Sequence, residues 1–216
     1  KDNFYSETMD KIFQVVKKYE SSNFNIVVAG TPVVSQFLQK ALIRDLNIFL
    51  SFSIILISIC LFIFFRNVTG VILPLLVVIL SMVMTIALMA VFGIQIKQTT
   101  SILPSFLIAV GIGDSVHFLS IFFQDYRKTN NKKKSAVYAM GHSGQAILLT
   151  TLTTAGGLIS FSSAKVAPIA DLGILASFGV FMAFLYTLIL LPALIALVPI
   201  RTRQYSRLSI VSGFDK

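Results

Sequence analysis

With 216 residues, 56% of them hydrophobic and only 12% charged, and a mean hydropathy of +0.85, the chain carries about half the charge of an ordinary soluble domain. A water-soluble globule of this length has no interior large enough to hide so much apolar surface, and 19 Phe add to it, so an ordinary soluble enzyme and a disordered chain are both excluded. The net charge of +9 does not point to nucleic acid, because the basic residues form no stripe with interleaved aromatics. They lie between long apolar runs, where loop charge sets membrane orientation. The one cysteine, Cys60, sits inside an apolar run and excludes an intrachain disulfide and a Cys-based zinc site. No residue set for a cofactor or a metal is seen.

The chain starts at Lys1 with a polar stretch and no visible signal peptide, so it is expected to be an internal piece of a larger membrane protein. Residues 1–44 read as the end of a folded extracytoplasmic domain. Met9, Ile12, Phe13, Val16 and Tyr19 recur at helical spacing between Tyr5 and Glu20. Asn25 to Ala29 is a short β-type run. Thr31 and Pro32 then suit the N-cap and first position of a helix that continues through Leu42. This is a short α/β remnant whose partner strands are expected upstream.

Residues 45–198 contain about five stretches long enough to span a bilayer, which takes about 20 apolar residues each. They are Asn47 to Phe65, Gly70 to Phe92, Ile102 to Phe123, Gly144 to Ala164 and Leu172 to Val198. The fold class expected is an all-α polytopic bundle preceded by the α/β remnant. One set of gaps holds Arg66, then Arg127, Lys128, Lys132, Lys133 and Lys134, then Arg201, Arg203 and Arg207, whereas the alternate set holds Lys97 and Lys165. The rich side is expected to be cytoplasmic. That places residues 1–44 outside and the tail, 199–216, inside, in a multi-pass protein of the cytoplasmic (inner) membrane. The gap from Gln124 to Ser143 pairs its basic run with Ala136, Val137, Ala139 and Met140, a pattern for an amphipathic helix on the membrane surface.

Asp114 is the sole acidic residue within these five stretches. Counted from Ile102 it lies roughly 18 Å deep. A carboxylate there costs on the order of 2.5–3.5 kcal/mol on insertion scales, so it must face the bundle interior or a water-filled cavity, and a functional role is the default. His117, one turn on, is a candidate second proton carrier, against the plainer reading of an interior packing residue. Gly111 and Gly113 flank the acid and permit close helix approach or room for water. Thr150, Thr153, Thr154, Gly157 and Ser160 recur at helical spacing in the fourth stretch. They mark a helix–helix contact, and one of the threonines is a candidate partner for the acid. Two protease look-alikes fail on chemistry. Gly111-Ile112-Gly113-Asp114 matches an intramembrane aspartyl-protease pattern, but no second acid exists in the spans to share its proton. Gly141-His142-Ser143-Gly144 matches a rhomboid-type serine pattern, yet no histidine follows His142. The chain is read as not an enzyme.

The run Val110-Gly111-Ile112-Gly113-Asp114-Ser115-Val116-His117-Phe118-Leu119 resembles the fourth transmembrane helix of resistance-nodulation-division (RND) exporters of the MMPL-like branch. The likeness continues through Tyr126-Arg127, Thr150-Thr151-Leu152-Thr153-Thr154-Ala155-Gly156-Gly157-Leu158, Asp171-Leu172-Gly173 and Leu190-Leu191-Pro192-Ala193-Leu194. It implies the end of an extracytoplasmic domain followed by helices two to six of one half, the five-helix unit that sterol-sensing domains also resemble. The Thr-rich fourth stretch looks more like that of an N-terminal half. The function implied is export of a lipid or other hydrophobic substrate, driven by protons, or by sodium as in some relatives, with Asp114 as the relay. Ser115 stands where some relatives carry a second acid or a Tyr, so His117 or a residue of the second half, or of an oligomeric partner, becomes the candidate partner of the acid. The competing expectation is a sterol-sensing-domain-like regulatory module that binds lipid without transport.

Overall fold

The computed structural model describes residues 2–19, 26, 28–94 and 99–198, without the side chains of residues 2–7, 9 and 39. The expected tail, 199–216, lies outside the described residues. The chain divides into two compact units, Lys1–Ser53 and Ile54–Lys216.

In the first unit, α1 (Asp2–Tyr19) occupies the amphipathic stretch, and Asp10 accepts 2.9 Å hydrogen bonds from Gln36 Nε2 and Lys40 Nζ of α2 (Thr31–Phe65). The positive φ of Gly30, +138°, turns the chain into α2, and its carbonyl accepts from Val34 N–H. Ile26, Val28 and Ala29 form no strand, and residues 25 and 27 lie outside the described residues. The expected α/β remnant is therefore represented by helix alone among the described residues.

The second unit contains the rest of α2, then α3 (Thr69–Val91), α4 (Leu103–Thr129, preceded by a 3-10 turn over Thr100–Ile102) and α5 (Lys132–Ile159). A 3-10 turn over Ser160–Ser163 precedes α6 (Ala167–Leu185), a π-helical turn (Tyr186–Leu190) and α7 (Leu191–Leu197). Among the described residues, five helical segments are long and apolar enough to cross a membrane, Thr31–Phe65, Thr69–Val91, Thr100–Thr129, Lys132–Ser163 and Ala167–Leu197. Each contains most of one expected stretch. Large side chains such as Ile55, Phe62, Ile63, Ile72, Ile79 and Ile86 point outward, which hydrocarbon satisfies and water would not.

Helices α3, α4 and α6 pack together, and α5 lies against α4 and α6. Small residues set how closely they approach. A Cβ on Gly111 would meet Val78 Cγ2 at 2.9 Å and Ala183 Cβ at 3.5 Å, and one on Gly179 would meet Leu107 Cδ2 at 2.6 Å and Thr85 Oγ1 at 2.7 Å. At one end of the bundle the rings of Phe65, Phe122, Phe123 and Tyr126 pack with centroids 5.3 to 5.6 Å apart, Phe122 and Tyr126 stacked and Phe122 and Phe123 edge to face. At the other, Met89, Leu103, Leu175 and Ala176 are buried together.

The Gln124–Ser143 stretch differs from expectation. There is no separate surface helix: α4 runs on to Thr129, and the basic run is the first turn of α5. Asn130 adopts a left-handed conformation (φ 50°), and Asn131 caps α5 by accepting from Lys134 N–H. Buried Ser135 donates to Asp125 Oδ2 at 2.7 Å and lies 2.9 Å from the Thr129 hydroxyl, and Lys132 Nζ donates to Val198 O. These polar ties hold the two helices in a tight hairpin.

Candidate functional site

Asp114 sits midway along α4, half-buried, and its Oδ2 is buried without a hydrogen-bond partner. An apolar helix explains its placement: α4 forms because the stretch is long and apolar, and the acid is carried in with it. Leaving a carboxylate oxygen unpaired in a low-dielectric interior is costly, which singles Asp114 out as the candidate functional group.

The neighbours of the acid divide by face. Gly111 and Ser115, three residues before it and one after, turn toward α3 and α6, and both are buried. Ser115 Oγ lies 3.4 Å from Thr187 Oγ1, the two residues being fully buried. Thr187 belongs to the π-helical turn, where Leu191 N–H bonds the Tyr186 carbonyl five residues back. Pro192 accounts for the irregularity, since it has no N–H for the Leu188 carbonyl and its ring would collide with that carbonyl in a regular α-helix. On α3, Pro74 lies one turn from Val78, the residue facing Gly111. The last helix is thus irregular at the level of the acid, whereas α3 carries Pro74 within a continuous helix.

His117 and Gly113 lie on the opposite, exposed face of α4, with nothing within 4 Å of where a Gly113 Cβ would be. No hydrogen bond joins His117 to Asp114 among the described residues. The threonine stripe of α5 also faces outward: Thr150, Thr153, Gly157 and Ser160 are exposed and Thr154 is half-buried. Its hydroxyls bond their own helix, Thr150 to Ile147 O, Thr153 to Leu149 O and Thr150 O, and Ser160 to Gly157 O. The inward face of α5 instead carries Ser143, Gly144, Ile147 and Thr151, and Thr151 Oγ1 is buried without a partner. Ser143 Oγ donates to Ala139 O, and His142 stacks on Tyr138 at an exposed position, an arrangement with no nucleophile–base pair.

Sequence reasoning missed Thr151 and Thr187. Thr151 lies one residue from the expected stripe, and the inward face is rotated by that one position. Thr187 is remote in sequence from the acid and lies in an apolar run whose only signal was Pro192.

Known proteins resemble this chain in sequence. The chain is 27% identical over 172 residues to the membrane protein MJ1562 of Methanocaldococcus jannaschii, a match covering 80% of this chain and 44% of that one. It is 26% identical over 122 residues to the hopanoid transporter HpnN of Rhodopseudomonas palustris, covering 55% of this chain and 14% of that one. The chain thus spans less than half the length of these relatives. The MMPL family matches residues 2–208, nearly the whole sequence, and with five apolar helices of spanning length this multi-pass membrane chain belongs to the MMPL family.

Proposed function

We propose that the chain is one half of an RND/MMPL-type secondary transporter that exports a lipid or other hydrophobic substrate, with proton movement through Asp114 as the driving step. The observation that carries the reading is the buried, unpartnered carboxylate oxygen of Asp114 within otherwise apolar helices. Binding a proton removes the charge and its desolvation cost, so the two protonation states favour different helix arrangements. The transporter relative from R. palustris supports a hydrophobic substrate, and membership of the family supports transport over sensing.

The outward small and hydroxyl residues of α4 and α5 support a partner surface. Gly113, Gly157, Thr153 and Ser160 give lipid little to pack against, whereas another helix can approach them closely. The second half of the transporter, or an oligomeric partner, is the occupant of this reading, and His117 meets the proton path there, as a second carrier. Residues 1–44 are the edge of an extracytoplasmic domain; the largely exposed Ile12, Phe13 and Tyr19 of α1 suit contact with more of that domain. The hairpin basic residues Arg127, Lys128, Lys133 and Lys134 then face the cytoplasm, in the inner membrane.

The test uses the full-length protein in proteoliposomes with an entrapped pH-sensitive dye and a hopanoid as the probe substrate. Substrate-dependent proton flux is expected to fall to background in Asp114→Asn while insertion is retained. Wild-type flux in that variant overturns the relay. A lipid-regulated module without transport would show no substrate-dependent flux in either protein.

A further inference from the structure

The three contacts between α4 and the last membrane helix advance in step. Leu107 meets Gly179, Gly111 meets Ala183, and Ser115 meets Thr187, four residues further on in each helix every time. The two helices therefore run parallel and in register, and Asp114 lies level with the start of the π-helical turn Tyr186–Leu190. The first two contacts are made by a glycine, tight at Gly179, where a Cβ would meet Leu107 Cδ2 at 2.6 Å, and ordinary at Gly111, where one would meet Ala183 Cβ at 3.5 Å. The third is different: two fully buried hydroxyls stand 3.4 Å apart, long for an O–H···O bond, at the one place where the last helix is widened. A wide turn holds one residue more than a regular turn over nearly the same rise, so closing it advances the segment beyond it by about 1.5 Å and rotates it by about 100°. Pro192 favours keeping a wide turn near this place, because a regular turn would drive its ring into the Leu188 carbonyl.

We propose that the π-helical turn Tyr186–Leu190 is the hinge through which the last helix follows the occupancy of Asp114, with Thr187 as the positioning residue that couples it to α4 through Ser115. The proposal rests on Asp114 being the proton site. When Asp114 is charged its helix must turn toward whatever solvates it, and when neutral it can settle inward. Ser115, the next residue on the same helix, moves with it, and the hydroxyl contact with Thr187 tightens or breaks. The turn then shifts α7 (Leu191–Leu197) while the glycine contacts hold the first part of the helix in place.

The experiment uses the full-length protein in native membrane vesicles, with Cys60→Ala and spin labels on Lys128→Cys and Leu197→Cys. Both labelled positions are exposed. Dicyclohexylcarbodiimide, which reacts with protonated membrane carboxyls, locks Asp114 neutral, and mass spectrometry measures the fraction modified. The label separation is read before and after. A shift of roughly 2 Å or more is expected in the parent and in Thr187→Ser, which keeps the hydroxyl, as closing the wide turn requires. It is expected to be lost in Thr187→Val and in Ser115→Ala, each of which removes one partner of the contact. Two variants guard against misfolding, since Ser115→Ala leaves the last helix untouched. Full modification of Asp114 with no shift in the parent, or with the same shift in Thr187→Val as in Thr187→Ser, overturns the hinge. If modification at position 114 does not exceed that in Asp114→Asn, the proton site itself is wrong and the hinge falls with it.

Discussion

Two glycines on α4, Gly111 and Gly113, offer a direct test of which face of that helix is packed. Substituting alanine at Gly111 would place Cβ 2.9 Å from Val78 Cγ2 and 3.5 Å from Ala183 Cβ. Carbon atoms prefer about 3.5–4.0 Å, so the first contact is short by roughly 0.6 Å. Val78 is only 2% exposed and β-branched, so its alternative rotamers are disfavoured in a helix and α3 and α4 must separate instead. Overpacking of this kind costs about 1–3 kcal/mol, of which alanine recovers up to about 1 kcal/mol through helix propensity. The net expectation is a loss of about 0–2 kcal/mol. At Gly113 nothing lies within 4 Å, so Gly113→Ala keeps the propensity gain of up to about 1 kcal/mol. The two variants should differ by about 1–3 kcal/mol, and at about 2–4 °C per kcal/mol their melting midpoints in detergent should separate by at least about 2 °C. Fluorescence-detected size-exclusion after graded heating measures this for the 216-residue chain. A Gly111→Ala midpoint equal to or above that of Gly113→Ala refutes the packing argument. In the full-length protein the order changes if a partner covers the outer face, because Gly113→Ala then loses its advantage.

Ser135 donates to Asp125 Oδ2 at 2.7 Å from a fully buried position, so Ser135→Ala should destabilise the α4–α5 hairpin by about 1.5–3 kcal/mol; an unchanged melting midpoint would show that the tie contributes nothing. The hydrogen bond from Lys40, and secondarily that from Gln36, holds the Asp10 carboxyl below its ordinary value of 3.8. A depressed carboxylate contributes stability that is present above that value and is lost as pH falls through its folded value. The α1–α2 contact in the first unit should therefore loosen below about pH 4, and weakly, because the pair is exposed and screened by salt. Spin labels at Gln14 and Val34 should report a broadened distance distribution on acidification, and Asp10→Asn should give that broader distribution already at pH 7. A distribution insensitive to both changes would dismiss the ion pair.

Much of the architecture was legible because hydropathy belongs to each residue separately. Twenty apolar residues in a row leave no option but a membrane or a core, so five stretches became five helical segments, and a lone carboxylate among them stood out. The order of motifs around Asp114 likewise carried the family without any coordinates. Facing is another matter, since it depends on which neighbour each side chain meets. Thr150, Thr153 and Ser160 had the spacing of a packing face, yet their hydroxyls bond their own backbone and the face is left open. Small polar residues leave almost no hydropathy signal to say which way they turn. Thr151 and Thr187 entered the interior through packing alone, one by a rotation of about 100° on α5, the other by the parallel register of α4 and α6. The hairpin at Asn130 was decided by hydrogen bonds among Asp125, Thr129 and Ser135, which turned an expected surface helix into the first turn of α5. The sequence by itself determined that this protein lives in a membrane and carries one carboxyl group inside it. Tertiary structure alone decided what surrounds that carboxyl, because an unpaired buried oxygen and a close glycine contact exist only once helices meet.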